Sequence, residues 1–223
     1  MNVENDETVN DIRFLYEILE RRGGEQESTA EDGSEENKIR SANFRKQRAN
    51  LRRGIDETTE HYAYPYVMPI LGPHATKKQR TTLVRMAALT AEFVDVPPVP
   101  KEEKGKSFGR WCSEVSAALA MRRDGEISLF NPDKPDVIAQ RLAFLHTQDF
   151  EEAFRSVWRL MQIAQSLKSV PACDYIAVYR LLGRWGNGIS DESRSLRMRV
   201  LQDYYGNIDN AFVSDFPAKI SQN

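Results

Sequence analysis

The chain has 223 residues, of which 29% are charged and 9% aromatic, and its formal net charge is −2. This length supplies a sizeable core in one large domain or two small ones, and the composition suits a helical protein better than a β-sandwich. Two cysteines are too few for a disulfide framework, so a reducing cytoplasm is expected. The acidic N-terminus lacks the basic start and apolar core of a signal peptide, and no apolar run approaches the ~20 residues of a membrane helix. The average charge conceals a division. Residues 1–36 hold 3 Lys/Arg and 12 Asp/Glu, leaving 28 basic and 21 acidic side chains after them. An acidic leader therefore precedes a mildly basic body. Arginine outnumbers lysine, which suits bidentate contact with phosphate. Solvated helix faces would account for the same counts.

In chain order, Ile12, Leu15, Tyr16 and Leu19 place a helical patch between Val9 and Leu19. Gly23 to Asn37 has no apolar anchors and is rich in acid, Gly and Ser, the composition of a disordered or mobile linker. Lys38 to Gly54 (KIRSANFRKQRANLRRG) is the densest basic segment, with only Ile39, Phe44 and Leu51 as an apolar side. Arg45, Arg48 and Arg52 share one face at helical spacing, a face that can track a phosphate backbone. Gly54 is expected to end this helix as a C-cap. Tyr62 to Leu71 (YAYPYVMPIL) reads as a short helix or turn packed into the core, with base stacking by its tyrosines as the other reading. Thr76 to Phe93 is an amphipathic helix with Leu83, Met86, Ala87, Leu89 and Thr90 inward. Lys77, Lys78 and Arg80 in its first turn oppose the helix dipole, a cost that points to another use for the charge.

The proline- and lysine-rich stretch Val94 to Lys106 is the expected boundary between two helical units. Ser107 then caps a helix reaching Met121, with Phe108, Trp111, Val115 and Leu119 inward. A polar loop over 122–136 follows, and Asp136 caps a short helix with Ile138, Leu142 and Leu145 inside. Phe150 to Leu167 repeats apolar residues every three and four positions, with Arg155, Arg159 and Gln162 opposite. Val170-Pro171 ends it. Asp174 caps the next helix, which turns Tyr175, Val178, Tyr179, Leu182 and Trp185 inward and holds Arg180 and Arg184 together outside. The last helix spans Asp191 to Tyr205, and the tail from Gly206 reads as weakly structured. The sum is an all-α protein of roughly seven to nine helices, in two small packed bundles. The expected layout is a partly disordered leader over 1–37, bundles over 38–100 and 101–206, and a tail over 207–223.

Nothing in this pattern announces catalysis. His61, His74 and His146 lack metal-ligand spacing partners, and Cys112 and Cys173 read as small buried residues. His146 with Asp149 is an isolated i, i+3 pair, and Gly-rich phosphate loops, GxSxG and HExxH are missing.

Several segments resemble one family. Ala49-Asn50-Leu51-Arg52-Arg53-Gly54 is similar to its A-x-L-R-R-G element, and Ser107-Phe108-Gly109-Arg110 to its S-L-G-R-A-L helix start. The helix from Arg141 through Arg159-Leu160 resembles its central element. Val170-Pro171, Asp174-Tyr175, Leu181-Leu182 and Arg184-Trp185 resemble its V-P-V-D-[WY] … L-L-x-W signature, and Asp203-Tyr204-Tyr205 its closing aromatic motif. The family is CasB, the small subunit of the type I-E CRISPR surveillance complex, Cascade. The chain departs from the pattern at Trp111-Cys112, Thr147-Gln148, Trp158 and Ala172-Cys173.

The resemblance implies an all-helical, non-catalytic subunit of two small bundles, and the residue pattern itself calls for no cofactor or metal. Its implied partners are CRISPR RNA, target DNA, the Cascade backbone and large subunits, and a second copy of itself, with no membrane. The family stabilises the guide RNA–target DNA hybrid and the displaced strand. Expected phosphate contacts are Arg52, Arg53, Lys78, Arg110, Arg141, Arg159 and Arg184. The competing expectation is an assembly spacer whose arginines meet acidic patches on neighbouring subunits.

Overall fold

A computed structural model describes residues 3–27, 35–100, 105–124 and 134–213. Among them the fold is all-α, as expected, and the chain falls into two compact units, Met1–Val94 and Asp95–Asn223. The stretches 28–34, 101–104, 125–133 and 214–223, which include parts of the expected linker, loops and tail, lie outside the described residues.

The first unit contains α1 (Val3–Glu27), α2 (Glu35–Arg52), α3 (Tyr64–Leu71) and α4 (Lys77–Glu92). Helix α1 lies within the segment expected to be an acidic leader. It buries Phe14, Leu15, Ile18 and Leu19 and packs against α3 and α4. This extra partner changes α4. Instead of one apolar stripe, every residue from Thr82 to Ala91 is buried, Arg85 included. A helix covered on all sides needs internal partners for its polar groups. Thr90 donates back to the carbonyls of Met86 and Ala87, and Arg85 donates to Gly54 O at 2.8 Å and pairs with Glu60 at 2.7 Å.

Gly54 does not act as the expected left-handed C-cap. Helix α2 tightens into a 3-10 turn over Arg53–Ile55, and Gly54 is not among the positive-φ glycines. Its role is steric, since a Cβ there would stand 2.9 Å from both the side chain and the carbonyl of Val84. The Tyr62–Leu71 segment also differs from its core-packing expectation. Ala63, Val67 and Leu71 are buried, while Tyr62 and Tyr64 face outward.

The second unit contains α5 (Phe108–Asp124), α6 (Val137–Ala143), α7 (Phe150–Gln165), α8 (Tyr175–Gly183) and α9 (Asp191–Val213). Ser107 caps α5, accepting from Arg110 N at 3.3 Å. Asp149 forms a capping box with Glu152 at α7, and Asp136 and Asp174 cap α6 and α8. The core is built on Trp111, Phe154, Tyr175, Trp185 and Tyr204. Their polar handles find partners. Trp111 Nε1 donates to Pro171 O at 3.0 Å, Trp185 Nε1 to Gln148 O at 2.9 Å and Tyr175 OH to Val96 O at 3.0 Å. The proline-rich stretch joins this unit through a parallel bridge between Pro98 and Cys173.

Candidate nucleic-acid interface

In the first unit the basic face of α2 is partly used internally. Arg48 Nε donates to Ala91 O at 2.9 Å, and Arg52 pairs with the carboxylate of Glu92. Arg45 Nε donates to the carbonyl of Ser41 at 3.4 Å. Two of the three stripe arginines are thus drawn to the end of α4, where unpaired carbonyls carry partial negative charge. Arg52 remains 49% exposed, and a surface pair worth about 0–1 kcal/mol leaves it open to exchange with phosphate. Arg53 places its guanidinium 4.1 Å from the Tyr62 ring centre.

Lys78 stands in the exposed first turn of α4, between Lys77 and Arg80, with no acidic residue in that turn. Thr76 and Gln79 close a capping box there. The three cations therefore sit at the positive end of a capped helix, the costly arrangement expected from the sequence. At 1.5 Å per residue, Lys78 lies roughly 21 Å along the axis from Glu92, the partner of Arg52. The expected residues of this unit thus divide between the two ends of α4.

In the second unit Arg110 occupies the first turn of α5, 3.5 Å from Glu114. Glu114 is held more closely by Lys106, at 2.7 Å, and the Arg110 side chain stays 58% exposed. Arg141 lies on the outer face of α6, flanked at helical spacing by exposed Val137 and Phe144. Arg159 projects from α7 opposite buried Phe154, Val157, Leu160 and Met161. Arg184 follows the last turn of α8, where a cation complements the dipole. Lys78, Arg141, Arg159 and Arg184 have no ion-pair partner among the described residues.

Helices α7 and α8 pack together, and each exposes a second arginine one turn before the expected one, Arg155 and Arg180. Neither is among the expected contacts, although the i, i+4 spacing from Arg159 and Arg184 is legible in the sequence. Three other arginines serve the interior. Arg22 donates to Thr90 O at 2.7 Å and Phe93 O at 2.9 Å. Arg85 holds Gly54 O and Glu60 from within the core. Arg197 donates to the carbonyls of Trp185, His146 and Gly186 and lies 4.9 Å from the Trp185 ring centre. Burial lowers the pKa of Arg197, yet a guanidinium stays charged at ordinary pH. Among the described residues no cluster of His, Cys, Asp and Glu could hold a metal ion, and no helix is long and apolar enough to cross a membrane.

Comparison with curated proteins and with solved structures gave no significant match. A family model described as CRISPR-associated protein Cse2 matches residues 47–205, well over half of the chain. The chain belongs to the Cse2 family. This is the CasB family that the motifs resembled, a structural part of Cascade in CRISPR defence. The Cse2 match spans all seven expected contacts, from Arg52 to Arg184. It begins inside α2, so α1 lies outside it although α1 completes the first unit's core. The Cse2 span also contains Gly109, whose added Cβ would meet Val200 O at 2.2 Å. The glycine of the helix-start motif thereby sets the close approach of α5 to α9.

Proposed function

We propose that this Cse2-family chain is a non-catalytic nucleic-acid-binding subunit of type I-E Cascade. It stabilises the guide RNA–target DNA hybrid and the displaced strand through phosphate contacts. The observation that carries this reading is the set of exposed cations without an ion-pair partner among the described residues: Lys78, Arg141, Arg159 and Arg184. They stand on the exposed sides of helices whose other faces fill the core. In RNA-guided complexes base pairing reads sequence, and protein supplies charge and shape. Arg52, Arg53 and Arg110 join the set as groups whose surface interactions a phosphate can replace.

The test is target-DNA retention by assembled Cascade carrying Lys78→Ala, Arg159→Ala and Arg184→Ala together. Retention should fall, and the salt dependence of binding should flatten by about 0.7–0.9 per lost contact. Unchanged retention and slope would overturn the reading.

A second reading has one observation in its favour. On α6, Arg141 stands between exposed Val137 and Phe144, and Phe144 is 69% exposed. Such a mixed face suits a protein partner, so at α6 the chain acts as an assembly spacer. In that case Phe144→Ser lowers incorporation into Cascade and leaves binding of free single-stranded DNA at low salt unchanged.

A further inference from the structure

The 53–64 segment places its aromatic side chains where the core has no use for them. Arg53 lies over the Tyr62 ring at 4.1 Å, and the His61 ring centre is 4.2 Å from that of Tyr62, with 34° between their planes. Arg53 and His61 are exposed, Tyr62 is 42% exposed and Tyr64 37% exposed. The result is a short ladder of guanidinium, phenol and imidazole on the surface of the first unit.

The backbone beneath this ladder is held firmly. Thr59 Oγ1 donates to Arg53 O at 2.6 Å, buried Arg85 donates to Gly54 O, and Ala63 N donates to Glu60 O at 2.9 Å. Nearby carboxylates are largely engaged by protein groups. Glu60 is paired with Arg85 and accepts from Tyr64 OH, an interaction that raises the Tyr64 pKa. Asp56 accepts from the amides of Thr58 and Thr59. Glu57 remains as an exposed acid. A rigid, exposed aromatic–cation ladder with its acids mostly tied back offers π-faces and a guanidinium to a planar group beside a phosphate. Unstacked nucleobases have that chemistry.

We propose that Arg53, Tyr62 and His61 form a stacking site for an unpaired nucleobase. The chain then grips a single strand through a base as well as through phosphates. The inference rests on the nucleic-acid reading above and adds the class of nucleotide to it.

The experiment uses the full chain and matched 12-nucleotide DNA and RNA oligomers carrying 2-aminopurine, whose fluorescence is quenched on stacking. Wild type and Tyr62→Phe should bind equally and quench at least one of the two oligomers. Tyr62→Leu keeps a similar apolar volume and loses the π-face. It should bind that oligomer about tenfold more weakly, the lower part of the range for one stacked base. Its quench should vanish, with the salt slope unchanged. The oligomer that loses its quench identifies the strand type. Equal binding and quench by Tyr62→Leu and Tyr62→Phe would overturn the stacking site and leave the phosphate reading standing. Loss of Cascade incorporation by Tyr62→Leu with oligomer binding intact would also overturn it, in favour of a protein contact. Salt-insensitive or absent oligomer binding by wild type would sink the wider reading as well. Because Tyr62 is exposed, unfolding midpoints should match across the variants.

Discussion

Single atoms decide two glycines in opposite directions. At Gly109 a methyl group would press on the Val200 carbonyl and on Tyr204 N, backbone groups of the neighbouring helix that cannot step aside cheaply. Gly109→Ala should therefore lower the stability of the second unit by about 3 kcal/mol, the upper end of overpacking costs. At Gly206, inside α9, a Cβ would meet nothing within 4 Å. Gly206→Ala should raise stability by about 0.5–1 kcal/mol, the propensity difference between the two residues in a helix. Denaturant midpoints of both variants check the pair, and equal shifts would refute the steric argument. The same scale explains which arginines were legible. Arg159 and Arg184 lie opposite apolar stripes, so periodicity alone put them outside. Arg22, Arg85 and Arg197 were not readable in this way. Their role depends on carbonyls contributed by segments far away in the chain, such as Thr90 O for Arg22 and His146 O for Arg197.

At the scale of elements, helix ends carried the clearest sequence signal, because a cap depends on neighbours within three residues. Asp136, Asp174 and Ser107 cap where expected, and Asp149 adds a capping box. What periodicity could not show was the environment of α4. A one-stripe pattern became a fully covered helix because α1 and α2 supply walls from outside its own sequence. The aromatic residues leading into α3 depart from the core-packing expectation for a related reason, since Ala63, Val67 and Leu71 fill the core without Tyr62 or Tyr64. Asp174 permits a test of one cap and one tether. One carboxylate oxygen accepts from Ile176 N and Ala177 N, and the other accepts from Gly105 N at 2.7 Å. Asp174→Ala should cost about 3 kcal/mol, since it removes a buried side chain that accepts from three backbone donors. Asp174→Asn keeps an oxygen for the cap and should cost about half as much, through the lost Gly105 bond. Thermal unfolding of the two variants checks the order, and equal losses would place the whole effect in the Gly105 tether and none in the cap.

For the molecule as a whole, the acidic N-terminal segment is where charge pattern and packing diverge. Charge marks residues 1–36 as an acidic leader, with 12 acids against 3 bases, around the helical patch expected between Val9 and Leu19. Yet α1 within it buries four large apolar side chains and sends Arg22 to the end of α4. Burial of each such side chain stabilises by about 1.5–3 kcal/mol, an upper estimate. Four of them amount to roughly 6–12 kcal/mol, as much as a typical domain's entire stability of about 5–15 kcal/mol. Removal of residues 1–27 should therefore do more than strip charge. It uncovers one side of α4, whose residues from Thr82 to Ala91 are then too apolar to face water. Hydrogen exchange reads this directly. Amides of α4 should lose most of their protection in the truncated chain, while those of α5, α7 and α9 in the second unit keep theirs. Four substitutions to Ala at Phe14, Leu15, Ile18 and Leu19, which leave every acid in place, should reproduce the loss. If α4 stayed protected in both forms, α1 would be a passenger on the first unit and no part of what holds its core together.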